Sequence, residues 1–221
     1  MTDRTRLLLL ASGEIGRRCA ALLDDAPGFE VTTRELDSSL SDLRDHQMVA
    51  LVTERPFPAV AAALDESCWS ARIPWLHSQL CAHRFRIGPI VVPPMTPCWG
   101  CLNRRLRSLA VDLPAHLALE AEAETEPSKP WFTGELSALT DQVAALTAVQ
   151  CLTLRSGRYT PSPDALGHYL EGDAIFGVLR QRRFARIGLC QRCAPQRMQD
   201  DSYKRVAQHF GPRFASRKTE S

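Results

Sequence analysis

No stretch of this 221-residue chain holds the roughly 20 consecutive apolar residues that a membrane-spanning helix needs. The strongest candidate is the run Leu7-Leu8-Leu9-Leu10, in MTDRTRLLLLASGEIG. It is too short for the apolar region of a signal peptide, and Glu14, Arg17 and Arg18 follow at once. The expectation is a cytoplasmic protein with no membrane partner. An excess of one charge is lacking as well. The 27 basic residues nearly balance the 25 acidic ones, for a net charge of +2. A general nucleic-acid binder needs a clear basic excess, so nucleic acid is not an expected partner. Internal repeats are absent. None of the six histidines stands at a spacing from a serine or acid that suggests a triad, so no catalytic residue is named.

Apolar residues make up 44% of the chain and charged ones 24%, which is enough to bury a core without staples. The run 6–12 reads as a buried parallel strand. Residues 13–25 place Ile15, Cys19, Leu22 and Leu23 at helical spacing, and Pro27 and Gly28 end that helix. Strands are expected over 29–36 and 48–54, and a short helix or turn over 38–46. A helix follows over 57–72. Residues 73–94 read as a strand, a polar excursion and another strand. The alternation of strand and helix predicts a parallel α/β sheet. Residues 112–134 are acidic and then broken by proline, and read as a poorly ordered insertion or crossover loop. A long helix is expected over 135–157, with Gly157 as its C-cap. Residues 167–188 read as a β-meander with Gly172 at a turn. The expected domain spans 1–195, and 196–221 is a basic tail.

Cys98 and Cys101 form a C-x-x-C pair after Pro97, and Cys190 and Cys193 form a second one. Two such knuckles can present four thiolates tetrahedrally, the arrangement of a closed, structural zinc site. A thioredoxin-like dithiol would open a helix after the first strand, whereas this pair falls after the fourth or fifth. Two unrelated pairs of thiols are the remaining alternative. Cys19, Cys68, Cys81 and Cys151 sit among apolar neighbours and read as small core residues.

Ala11-Ser12-Gly13-Glu14-Ile15-Gly16 stands where a strand–turn–helix nucleotide loop would stand. The full pattern is G-x-G-x-x-G, and alanine replaces its first glycine. Glu14 puts a carboxylate where a phosphate would approach the helix N-terminus. Gly13 and Gly16 then read as close strand–helix packing rather than as a phosphate cradle. Asp37 follows the second strand.

Two arginine clusters stand out, Arg104, Arg105 and Arg107 in one, and Arg180, Arg182, Arg183 and Arg186 in the other. They read as a solvated face or as a surface for an acidic partner. Trp69 and Trp75 read as core. Trp99, inside the first knuckle, and Trp131, in the acidic insertion, are the candidates for partner contact together with Arg104 and Arg105.

The opening strand and loop, then IPWLHSQLCAHRFRIGPIVVPPMTPCWGCLNRR, a helix and the closing GLCQRCAP together resemble the ThiF/MoeB superfamily of ubiquitin-activating-enzyme-like adenylating proteins. The likeness runs from about residue 6 to 195. It looks closest to the ThiF-like partner proteins of YcaO-type cyclodehydratases, which act in making thiazole/oxazole-modified, bacteriocin-type peptides. The resemblance implies a Rossmann-like, mostly parallel sheet with a C-terminal helix and β-meander, stapled by a zinc site of four cysteines. It implies a non-catalytic scaffold that presents a precursor peptide to the YcaO-type enzyme, and a homodimer. Active members carry an intact glycine loop, a ribose-binding acid and bases around the triphosphate. Gly13, Gly16 and Asp37 stand at the corresponding nucleotide positions here, but no ordered set of bases does. Arg34, Arg44 and Arg55 read as solvated, so ATP is not expected as a cofactor. The alternative is an ATP-dependent adenylating enzyme acting on a peptide or protein carboxylate. Such partners often begin with a winged-helix module that grips the leader peptide. With the first strand at residue 6, that module is not expected.

Overall fold

In the computed structural model the residues described are 4–36, 43–125, 134, 136–157, 166–188 and 190–194. They belong to two units, Met1–Arg186 and Ile187–Ser221, each described by itself. Asp37, Trp131 and the tail 196–221 lie outside the described residues.

The first strand, β1 (Thr5–Ala11), shows why its leucines are continuous. Successive side chains of a strand point to opposite faces. Leu7 and Leu9 enter one core cluster, with Ile15, Cys19, Leu23, Val143 and Cys151. Leu8 and Leu10 enter another, with Ala61, Leu64 and Cys68. A strand covered on both faces has no polar face to show. The helices that cover it are α1 (Gly13–Asp24) with α5 (Ser137–Arg155) on one side, and α2 (Pro58–Ala71) on the other.

The remaining elements are β2 (Phe29–Glu35), a 3-10 turn at Leu43–Asp45, β3 (Met48–Thr53), β4 (Trp75–Cys81), β5 (Arg84–Val91), α3 (Trp99–Ser108), α4 (Leu113–Thr125), β6 (Gly167–Asp173) and β7 (Val178–Phe184). The sheet has seven strands in the order β2-β1-β3-β4-β5-β6-β7. The first three pairings are parallel and the last three antiparallel. The sheet is therefore mixed, not mostly parallel. Only Ala82 and His83 separate β4 from β5, so the two strands must run as a hairpin, because a parallel return needs a long crossover.

Two further expectations are corrected. The acidic segment is not all linker, since Leu113–Thr125 forms α4. Asp112 caps it, its carboxylate accepting the Ala115 N–H at 2.9 Å. Gly172 is not at a turn. It lies within β6 opposite Phe85 and Leu179, and the turn falls at 174–177. A Cβ on Gly172 would lie 2.2 Å from the Phe85 ring, so the glycine makes room for that ring. Among the described residues no helix is long and apolar enough to cross a membrane.

Candidate functional site: a filled helix terminus and a cysteine centre

β1 lies between β2 and β3, so the chain leaves β1 to one side and later returns to the other. In open α/β sheets, ligands bind at the carboxyl ends of strands flanking such a reversal. Here that edge is built by Ser12 and Gly13 after β1, and by Glu54 and Arg55 after β3.

Gly13 has φ +68°, and α1 begins there with its N–H groups pointing outward. The Glu54 carboxylate occupies this terminus. Its Oε1 accepts the backbone N–H of Glu14 and, at 3.3 Å, that of Ile15. A Cβ on Gly13 would lie 1.9 Å from Glu54 Cδ, so only glycine leaves space for this carboxylate. Glu14 does not block the terminus as its position in the sequence suggests. Its side chain turns back to Arg18 (2.9 Å) and Arg17 (2.8 Å), and those guanidiniums hold its pKa below the usual carboxylate range. Arg18 also reaches Asp141 on α5 at 2.6 Å. Gly16 behaves as expected, because a Cβ there would lie 2.7 Å from Ala11 Cβ, where α1 crosses β1.

Arg55 is buried rather than solvated, at 4% exposure. It donates to the Ala123 carbonyl of α4 at 3.0 Å and lies over the Phe57 ring. The helix that covers it is the one that its acidic sequence concealed.

The first cysteine knuckle opens α3, with Cys98 as the N-cap residue. Cys101 N–H donates to the Cys98 carbonyl at 3.1 Å, and the two sulfurs are 3.7 Å apart. A tetrahedron with metal–sulfur bonds of ~2.3 Å has an edge of roughly 3.8 Å, so this spacing suits two ligands of one ion. Behind the knuckle sits Asp65 of α2, fully buried. Its carboxylate accepts Trp99 N–H at 3.2 Å, Gly100 N–H at 3.3 Å and the Trp75 indole N–H at 3.3 Å. In the second unit, Cys190 N–H donates to the Ile187 carbonyl at 3.0 Å. Residues 191–193 turn, and Ala194 N–H closes back on the Cys190 carbonyl at 3.0 Å. Cys98 and Cys101 in the first unit, and Cys190 and Cys193 in the second, are all buried, and each pair offers two thiols to a metal ion. None of the eight cysteines is in a disulfide. Burial pushes the Cys19 and Cys68 thiols up to about 12 and Cys151 well above its ordinary value, which suits inert core residues.

Trp99 is a packing residue, 7% exposed, and not a surface anchor. Its indole N–H donates to His77 Nδ1 at 3.1 Å. Burial and the nearby Arg86 push the His77 pKa down to about 3, so the ring is a neutral acceptor. Arg104 is exposed. Arg105 donates to the Ala185 carbonyl at 3.2 Å, and Arg107 pairs with Glu120 at 2.6 Å. Arg186 donates to the carbonyls of Pro94 (2.6 Å) and Met95 (2.8 Å). Much of the arginine clustering thus ties segments of the chain together.

Comparison with protein-family models and with curated proteins finds no match. Solved structures share the fold. A heterocyclase in complex with substrate and cofactor superposes with a TM-score of 0.61 at 18% identity, over 88% of this chain and 26% of the other. The heterocyclase TruD gives 0.58 at 17% identity, over 95% and 33%. The microcin C7 biosynthetic enzyme MccB, in complex with N-formylated MccA, gives 0.60 at 15% identity, over 87% and 68%. The chain thus spans about a quarter and a third of the two heterocyclases. At these identities the likeness is one of fold.

Proposed function

We propose that this chain is a non-catalytic ThiF-like partner protein in the biosynthesis of ribosomally made, heterocycle-containing peptides. In this reading it presents a precursor peptide to a YcaO-type cyclodehydratase in the cytoplasm, as a homodimer. Cys98, Cys101, Cys190 and Cys193 hold one structural zinc. Four buried thiols with no imidazole or carboxylate among them suit that metal, and a closed thiolate set supplies folding free energy rather than a reactive position. The exposed Arg104 is the member of the proposed partner surface best placed to meet an acidic peptide.

The observation that carries the non-catalytic half is Glu54. A helix N-terminus at a sheet reversal is an anion site. Here a carboxylate of the chain itself takes the N–H groups that a phosphate would take. Gly13 and Gly16, the remnants of the nucleotide loop, serve that carboxylate and helix packing instead. Calorimetry with Mg-ATP on the zinc-loaded chain tests this: no heat is expected. Binding in the micromolar range would overturn it.

The second reading is an ATP-dependent adenylating enzyme. The fold shared with MccB, a biosynthetic enzyme, favours it. It requires Glu54 to leave the α1 terminus when nucleotide arrives. ATP–pyrophosphate exchange by the chain with a candidate peptide would decide for it.

A further inference from the structure

One strand across the sheet from Glu54, Gln79 pairs with Thr53 at the carboxyl end of β4. There the hairpin of β4 and β5, with β6 and β7, walls a cavity of about 440 Å³. That is the size of an ordinary small-molecule site. Its lining is unusually charged. Arg84, Arg86 and Arg180 face it, along with Glu171 and Asp173. The acids are accounted for. Asp173 accepts from Arg84 at 3.0 Å, and Glu171 from Arg182 at 2.6 Å. Arg86 stands opposite Glu171 in the β5–β6 register, yet that carboxylate is held by Arg182. The Arg86 Nε is buried without a hydrogen-bond partner, and its guanidinium lies 6.0 Å from the Tyr169 ring centroid. The residue as a whole is half-buried, and a guanidinium with part of its donor edge shut off from water normally meets an anion, because desolvating it alone is costly. Cys81 lines the same cavity, and Gln79 donates to its sulfur at 2.9 Å.

We propose that this cavity is a binding site for a small anionic molecule, with Arg86 receiving its carboxylate or phosphate group. A planar guanidinium fits either anion by two parallel N–H donors. Phe85 and Val178 leave the rest of the lining partly apolar, so the ligand is an organic acid or phosphate ester rather than a free inorganic ion. The site uses neither the α1 terminus nor the cysteine centre, so it stands independently of the scaffold reading.

Cys81 provides the test. It is half-buried, whereas Cys19, Cys68 and Cys151 are fully buried. Iodoacetate and iodoacetamide alkylate a thiolate by the same step: sulfur attacks the methylene, iodide leaves, and the thiol proton goes to solvent. They differ in the carboxylate. At one pH the thiolate fraction cancels from the ratio of their rates. The probe is the zinc-loaded full chain, followed by mass spectrometry of the Cys81 peptide. The expected result is an iodoacetate-to-iodoacetamide rate ratio at Cys81 at least ~10-fold above that of free cysteine, the value of one ion-assisted contact of about 1.4 kcal/mol. Arg86→Gln should return the ratio to the free-thiol value, and Arg86→Lys should keep part of the preference. Protection by acetate but not by methyl phosphate assigns a carboxylate ligand, and the reverse assigns a phosphate ester. A wild-type ratio at or below that of free cysteine overturns the proposal, as does a ratio that Arg86→Gln leaves unchanged. Uniform iodoacetamide labelling of all cysteines would reveal an unfolded variant. In that case, or if Cys81 reacts with neither reagent, the Arg86 Nε–H NMR signal of the wild-type chain is titrated with acetate and with methyl phosphate. Movement of that signal supports the site, and no movement with either overturns it.

Discussion

The Asp65 carboxylate accepts the Trp99 backbone N–H at 3.2 Å, so a residue in the middle of α2 caps the helix that carries the first cysteine pair. The same group takes Gly100 N–H and the Trp75 indole. Asp65→Ala would strand these donors in a buried site. The expected loss is about 3 kcal/mol of stability or more. Urea unfolding of the metal-loaded chain measures it. If Asp65 served the metal centre only, the loss would vanish once both proteins were stripped of metal. We expect it to persist.

Removal of metal should itself destabilise the chain. Chelation is expected to lower the midpoint of urea unfolding and release one zinc per chain. Cys98→Ser and Cys193→Ser should each weaken zinc retention, because hydroxyl oxygen is a poor substitute for thiolate. Cys151→Ser should leave zinc content unchanged. Metal analysis of the purified variants checks all three.

Gly13→Ala combines two penalties, a positive φ and the loss of the seat for Glu54. Gly177→Ala carries the first penalty alone, since φ is +59° and nothing lies within 4 Å of the added Cβ. Gly177→Ala should cost about 1 kcal/mol and Gly13→Ala more, by roughly the 1–3 kcal/mol of unsatisfied N–H groups. Thermal unfolding of the two variants side by side tests the difference.

His77 predicts a pH dependence of defined sign. Its folded pKa of about 3 lies below the ordinary value of 6.5. Between those values the unfolded chain binds the extra proton, so stability rises with pH and is lost as pH falls from about 6.5 towards 3. Glu14, held below 4.5 by Arg18 and Arg17, adds the same sign only at the acid end. So does Asp173, where desolvation raises the pKa but Arg84 and two backbone N–H groups bring it below 3.8. The upper part of the window therefore belongs mainly to histidine, with His168, lowered by burial, contributing in the same direction. His77→Gln should flatten the stability curve between about pH 6.5 and 4.5 by comparison with the parent chain, as measured by urea titration at each pH.

The legible parts of this fold are those with strong periodicity. β1, α1, β2, β3, α2 and α5 fall where apolar spacing puts them. The hairpin of β4 and β5 is legible as two strands, but its direction is not, because direction depends on the length of the connection and not on the pattern of either strand. α3 escapes a reading of periodicity because its sequence, WGCLNRRLRS, is short and half polar, and its start is fixed by Asp65 from another helix. α4 escapes it because acidic composition reads as linker, whereas Arg107 and His116 meet Glu120 there. The knuckles are legible as spacing. Glu54 is not, since nothing in TERP announces that its carboxylate will reach a turn 40 residues away. A strand end beside a nucleotide-type turn is the signal that could have found it.

A carboxylate fixed to β3 meets the α1 terminus at a high effective concentration, because no translational freedom is lost when it binds. Any free anion must first displace this tethered rival. One side chain, Glu54, thus takes the N–H groups of that terminus before any free anion can. Glu54→Gly would remove it, so an occupied terminus and an open one lie a single substitution apart.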